Sequence, residues 1–323
     1  MRCAYCHTSH GTLGRAPCFM TEMVWKPLGR LIVDHVRPGH GVRIAFGCGE
    51  TFMRFYEFME FVEYLESLAA ARGVSLNLQV STNGLLLNAE RCDICAQHRI
   101  SLSFSIDGPP HIHDGVRGDT DGRPTHHRAM ENWKRYRALS LRLPDPPACN
   151  VLSVIHDKSR LLEVAQYWRQ EEVPIFDAVV QEPPPGRHEG VHKSWQRRRA
   201  AFLEDFRTLA MAEAERLSIP GFLSDYSGPS LLLFQWKDLF LEIPRTGCGA
   251  GTSELAVDAQ GNIYPCEGFV GYPQWILGTV PVFGKPFRPI RALVFCVADS
   301  HRPRLHAGKT GRPANEDFFW RTS

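Results

Sequence analysis

Five short runs rich in Val, Ile, Leu and Phe recur through the first 185 residues: Val42 to Phe46, Leu76 to Ser81, Ser101 to Ile106, Val151 to Ile155 and Phe176 to Gln181. Each ends in polar or Gly-containing sequence. Between them lie stretches with helical periodicity and good helix formers, namely Phe55 to Arg72, Ala89 to His98, Thr125 to Leu139 and Ser159 to Glu172. Alternating strands and helices leave few folds open, because parallel neighbours need a crossover connection and a helix supplies it. The chain is therefore expected to be α/β, with a parallel sheet whose C-terminal strand ends share one face, the face on which loops build sites in barrel-like sheets.

Pro183-Pro184-Pro185-Gly186 interrupts the alternation, so the first domain is placed at residues 1–185. A helical connection follows at 186–245, with a basic stretch from Trp195 to Arg216. Residues 246–285 form a Gly-rich, cysteine-bearing module with a hairpin signal at Asp258-Ala259-Gln260-Gly261-Asn262. Residues 286–323 read as a partly disordered tail, polar and rich in Pro, Arg and His from Asp299 to Asp317. Lys and Arg total 37 against 35 Asp and Glu, so no long-range field favours nucleic acid or an anionic membrane. No apolar run approaches the roughly 18 residues of a membrane span, and no secretory signal opens the chain. A cytoplasmic setting is expected, in which the ten cysteines bind metal or pack.

Cys3-Ala4-Tyr5-Cys6 offers the closely spaced thiols that iron-sulfur clusters use. Taken with His7 and His10, the same cysteines also compose a tetrahedral zinc set, and on this segment alone the two readings are even. Three further motifs follow the strands in order: Gly47-Cys48-Gly49-Glu50, Ser81-Thr82-Asn83-Gly84, and Ser105-Ile106-Asp107-Gly108-Pro109 with His113-Asp114 and Arg117 behind it. Together these motifs resemble the radical SAM superfamily. The resemblance implies a partial (β/α)6-type parallel barrel around a 4Fe-4S cluster and S-adenosylmethionine. Cys3 and Cys6 match the second and third cluster cysteines. Tyr5, Gly47, Gly49, Glu50, Ser81, Asn83, Ser105, Asp107 and Arg117 match cofactor-binding positions. The first cluster cysteine would fall before Met1, which implies a core without its first strand.

Cys248-Gly249-Ala250-Gly251 and Gly261-Asn262-Ile263-Tyr264-Pro265-Cys266 resemble the opening of a SPASM domain, in which cysteines such as Cys248 and Cys266 bind an auxiliary iron-sulfur cluster. The later cysteines of that domain are missing, so the resemblance implies an incomplete ligand set and truncation at both ends. Glu267 stands where anaerobic sulfatase-maturating enzymes carry an acidic residue that takes a proton from the substrate. By this resemblance the protein cleaves S-adenosylmethionine to a 5′-deoxyadenosyl radical that abstracts hydrogen from a peptide or protein. Its electrons come from an external donor such as flavodoxin or ferredoxin. A zinc-binding protein and a catalytically dead, peptide-binding remnant remain open beside the enzyme. Cys18, Cys48, Cys92, Cys95, Cys149, His126 and His127 are read as packing residues.

Overall fold

The computed structural model describes residues 1–6, 18–47, 49–173, 176–180, 189–217, 250–251, 254–280 and 294–298. The strands are β1 (Arg2–Cys3), β2 (Gly41–Gly47), β3 (Ser75–Thr82), β4 (Ser101–Ser105), β5 (Arg117–Gly118), β6 (Cys149–Ile155), β7 (Phe176–Val180), β8 (Leu255–Val257), β9 (Asn262–Tyr264), β10 (Gly278–Thr279) and β11 (Val294–Ala298). The helices are α1 (Glu22–His35), α2 (Phe55–Arg72), α3 (Ala89–Gln97), α4 (Pro110–Asp114), α5 (His126–Ser140), α6 (Leu161–Gln170) and α7 (Glu189–Leu217). Strands β2, β3, β4, β6 and β7 pair in that order, all parallel, and curl into a half-barrel. These are the five runs read from the sequence.

A pleated strand sends alternate side chains to opposite faces. In β2, Val42, Ile44 and Phe46 are buried, while Arg43, Ala45 and Gly47 lie on the other face. Phe46 meets Phe58 and Phe61 of α2 edge-on, with ring centroids 5.0 and 6.0 Å away. Helix α1, which Pro27 and Gly29 hide from a periodicity reading, lays Trp25 against Phe61 at 5.4 Å. Gly29 permits the approach of α1 to α2, since a Cβ there would stand 3.1 Å from the Tyr64 ring. On the far side of the sheet order, Tyr136 of α5 packs on Phe104 and donates its hydroxyl to the Ile100 carbonyl. Trp168 of α6 donates its indole N–H to Ser153 Oγ of β6 at 3.0 Å.

The hairpin signal is realised by β8 and β9, which pair antiparallel. Asp258 organises the turn: Oδ1 accepts from the Gln260 and Asn262 amides at 3.0 and 2.9 Å, and Oδ2 accepts from the Tyr264 hydroxyl at 3.0 Å. The hairpin continues the main sheet. Strand β11, inside the stretch read as a tail, runs parallel to both β8 and β2 and joins them. Strand β1 pairs instead with β5, in a separate two-stranded sheet.

Cys92 and Cys95 are fully buried, and burial pushes their thiols up to about 11 and about 12. His126 is buried and Cys149 partly so. Cys18 and His127 depart from the packing reading and are exposed: Cys18 lies in irregular chain before α1, and His127 is on the outer side of α5 from the buried His126. Cys48 lies outside the described residues. No helix among the described residues is long and apolar enough to cross a membrane.

Trp168 has none of its surface exposed, so Trp168→Ala should cost about 3–5 kcal/mol in urea unfolding. Leu141→Ala, at a side chain 65% exposed, should stay within about 0.5 kcal/mol. Equal midpoints for the two variants would contradict this placement of the core.

Candidate functional site

The N-terminal turn is tied to the C-terminal strand ends by both backbone and side chains. Arg2 and Cys3 pair with Gly118 and Arg117, the Ala4 amide donates to the Val116 carbonyl at 2.8 Å, and the Cys6 amide donates to the Cys3 carbonyl at 3.0 Å. This turn brings two partly buried thiols, Cys3 and Cys6, to the same place. Between them Tyr5 points inward and donates its hydroxyl to Asp107 Oδ2. Its ring stacks on His156, at the end of β6, with centroids 6.0 Å apart.

Asp107 sits two residues beyond β4 with none of its surface exposed. Its Oδ1 accepts from the Val154 amide at 2.9 Å, and its Oδ2 accepts from Arg117 Nε at 2.9 Å as well as from Tyr5. Burial works to raise the Asp107 carboxyl, but the Arg117 charge and the hydrogen bonds outweigh it and hold the group below its ordinary range. Burial likewise opposes the charge on Arg117, and Asp107 reverses that, so the guanidinium stays protonated. The guanidinium also lies 5.2 Å over the Tyr5 ring, and its Nη1 donates to Cys3 Sγ at 3.8 Å. Burial raises the Cys3 thiol, and Arg117 opposes that rise. The sequence reading makes Asp107 and Arg117 cofactor contacts; in the structure they engage each other first.

His113 supports this pair from behind. The Asp107 amide donates to its Nδ1 at 3.2 Å. Thr125 Oγ1 gives its own hydrogen to the Arg117 carbonyl at 2.5 Å, so it accepts from His113 Nε2 at 3.1 Å. A backbone N–H can only donate, which places the neutral imidazole's hydrogen on Nε2. Burial first, then the Arg117 cation, lower His113 to about 3.

The second motif cluster lies at the ends of β2 and β3. Glu50 Oε1 accepts from Thr82 Oγ1 at 2.8 Å, and its Oε2 accepts from the Asn83 amide at 2.9 Å. Burial raises the Glu50 carboxyl, with these hydrogen bonds opposing. Asn83 spends its side-chain oxygen on the Leu85 amide at 2.9 Å, shaping a turn. Gly84 takes φ +76°, and a Cβ there would meet the Phe104 ring at 3.0 Å, so glycine is required twice over. Gly47 and Ser81 are neighbours across the two strands, Ser81 and Ser105 are half-buried, and Gly49 is exposed.

In the C-terminal hairpin, Cys266 is half-buried and Glu267 follows at the start of a 3-10 turn. Desolvation and then the like charge of Glu254 raise the Glu267 carboxyl, although the residue keeps an exposed face and reaches solvent. Cys248, His7 and His10 lie outside the described residues. Among the described residues no three Cys, His, Asp or Glu side chains converge as a metal site, so the pair Cys3 and Cys6 stands without a third ligand there.

His156 was not foreseen. It is 4% exposed, its Nδ1 accepts from the Lys158 amide at 3.2 Å, and its Nε2 is buried without a hydrogen-bond partner. The accepting Nδ1 puts the hydrogen on Nε2, leaving a buried donor unspent beside Tyr5. Its position directly after a strand, level with the other strand-end motifs, was the available signal.

Residues 1–158 match the model of the radical SAM superfamily. The serine-type anaerobic sulfatase-maturating enzyme of Bacteroides thetaiotaomicron is 34% identical over 86 residues, which are 26% of this chain and 20% of that protein. The chain thus aligns with about a fifth of that curated relative's length. Several solved structures are similar in fold, two of which are of one protein with bound peptides. One, native anSMEcpe with bound AdoMet and Cp18Cys peptide, has a TM-score of 0.68 at 19% identity, covering 87% of this chain and 73% of that one. The other, with the Kp18Cys peptide, has a TM-score of 0.69 at 18% identity, covering 87% and 74%.

The radical SAM match implies an iron-sulfur cluster and S-adenosylmethionine. The residues present fit these groups on two observations. Cys3 and Cys6 are soft donors held by one turn, with a cation rather than a carboxylate against the sulfur, and the described residues supply two of the thiolates such a cluster takes. The unspent His156 donor lies beside the same turn, where a bound ligand would satisfy it.

A histidine that titrates near 6.5 when unfolded and near 3 when folded favours the unfolded chain as pH falls. The native state should therefore lose up to about 1.4 kcal/mol per pH unit below about 6.5 from His113 alone. His126 and His156, also lowered by burial, add with the same sign. Denaturation at pH 7 and 5.5 should show a shallower loss for His113→Gln than for the parent, and equal slopes would contradict the buried neutral imidazole.

Proposed function

We propose that the chain, whose residues 1–158 carry a radical SAM domain, modifies a peptide or protein by hydrogen abstraction, with the Cys3–Cys6 turn as its metal-binding centre. The observation that carries this reading is the lock of Tyr5 and Cys3 onto Asp107 and Arg117. It sets two thiols at the C-terminal ends of the half-barrel strands, level with Glu50 and the unspent His156 donor. When bound, the 4Fe-4S cluster and S-adenosylmethionine supply the carbon radical. The protein's residues bind and orient. Glu50, fixed by Thr82 and the Asn83 amide, presents its carboxylate to a cationic amino group beside Gly47 and Gly49, where missing side chains leave room. Ser81 and Ser105 offer hydroxyls from the neighbouring strands. His156 donates Nε2–H to the cofactor alongside Tyr5.

The peptide or protein substrate is supported by the sulfatase-maturating relative and by the peptides bound in the structures of similar fold. A SPASM-like role is assigned to the C-terminal hairpin, with Cys248 and Cys266 as ligands of an auxiliary cluster. Glu267 is assigned as the general base: its raised carboxyl accepts a substrate proton more readily than an ordinary carboxylate. An external donor such as flavodoxin or ferredoxin supplies the electrons, in the cytoplasm.

After anaerobic reconstitution of the full chain, iron and acid-labile sulfide should bind in equal amounts and 5′-deoxyadenosine should form, and Cys3→Ser and Cys6→Ser should lower the iron and sulfide content and abolish 5′-deoxyadenosine formation. Zinc uptake without iron, or 5′-deoxyadenosine formed by both serine variants, would sink the assignment. His156→Phe should weaken S-adenosylmethionine binding about tenfold by calorimetry, the cost of one lost hydrogen bond of about 1.4 kcal/mol. An unchanged affinity would remove His156 from the site.

A further inference from the structure

Arg117 holds Cys3 in two independent ways. Its backbone is the ladder partner of Cys3 in the β1–β5 pair, and its side chain reaches the Cys3 sulfur with Nη1 at 3.8 Å. A simple counter-ion for Asp107 would not need this arrangement. Asp107 already accepts from the Val154 amide and from Tyr5, and it engages only Nε of Arg117, which leaves the Nη1 end directed at the thiol. The carboxylate fixes the guanidinium at Nε, the Tyr5 ring packs against its face, and the Arg117 carbonyl is pinned by Thr125 Oγ1 at 2.5 Å. The guanidinium side chain is only 7% exposed, so its charge acts on the sulfur with little screening by water.

We infer that Arg117 is a positioning residue for Cys3: it fixes the sulfur by an N–H···S hydrogen bond and draws electron density from it, so that the metal centre Cys3 helps to hold is easier to reduce. The inference rests on the preceding reading of Cys3 as a metal ligand. Its physical basis is that hydrogen bonds and positive charge at ligand sulfurs raise the potential of iron-sulfur centres, while partners outside the ligands orient them. Asp107 acts one step farther out, by keeping the guanidinium from swinging away.

The test uses the full chain, reconstituted anaerobically with iron and sulfide, in a potentiometric titration followed by electron paramagnetic resonance. Arg117→Lys keeps the charge but loses the fixed fork, and Arg117→Gln keeps an N–H donor but loses the charge. The centre that each variant retains should titrate at more negative potential than the parent's, with altered g values. Titration of both at the parental potential would overturn the inference. Because either variant can fail to fold, the unsubstituted chain labelled with 15N-arginine gives a second readout. Pulsed resonance of its reduced form should show coupling to a guanidinium nitrogen, and the absence of coupling would overturn the inference. An unsubstituted chain that takes up no iron refutes the preceding reading and this inference together. Iron held without arginine coupling refutes this inference alone.

Discussion

The ion pair between Asp107 and Arg117 locks together parts of the chain that backbone pairing brings side by side. Tyr5 comes from the N-terminal turn, Asp107 from the end of β4, Arg117 from the short strand after α4, and Val154 from β6. Two buried charges cost several kcal/mol of desolvation each, so such a pair is poor evidence of stability for its own sake. Removing one partner is worse, on the order of 3–5 kcal/mol, because the other is left buried and uncompensated. The arrangement therefore enforces completeness: the turn carrying Cys3 and Cys6 is seated when all three side chains are in place.

A parallel sheet normally buries both faces and reads as continuous hydrophobic runs. Here the face toward α2 is apolar, with Val42, Ile44 and Phe46 of β2 and Val80 of β3, while Gln79 and Ser81 on the opposite face remain half-buried. The helices thus anchor one side and leave polar chemistry on the other. The ends of β2 and β3 then bring Glu50 and Asn83 together, and Asp107 follows β4, the next strand in the sheet.

The half-barrel was legible because alternation with β-branched and aromatic residues is a local signal, and β2, β3, β4, β6 and β7 each carry it. Helix α1 was not, because Pro27 and Gly29 lower its intrinsic propensity while its packing on α2, which stabilises it, is tertiary. Strand β11 was hidden for a similar reason: Val294 to Ala298 is a short apolar run in polar surroundings, and only the partner edges of β2 and β8 make it a strand. For the expected site residues, position along the strands was readable and side-chain direction was not. Asp107, Arg117 and Asn83 stand where the motifs put them, yet their side chains spend much of their bonding capacity on the protein itself. His156 carried only the weak signal of its place after a strand, which is ordinary for a polar residue until its burial is known.

Strand β11 has a consequence for the order in which this chain can fold. The edge of β2 appears in synthesis long before Val294 to Ala298, the segment that pairs with it. Until then, a row of backbone donors and acceptors on an apolar strand stays open to any passing chain. Contacts of such long sequence separation form slowly, because the entropy of closing the loop is lost before the pairing returns anything. Whatever covers the open edge of β2 before Val294 to Ala298 arrives therefore stands between the half-finished sheet and strand-to-strand aggregation.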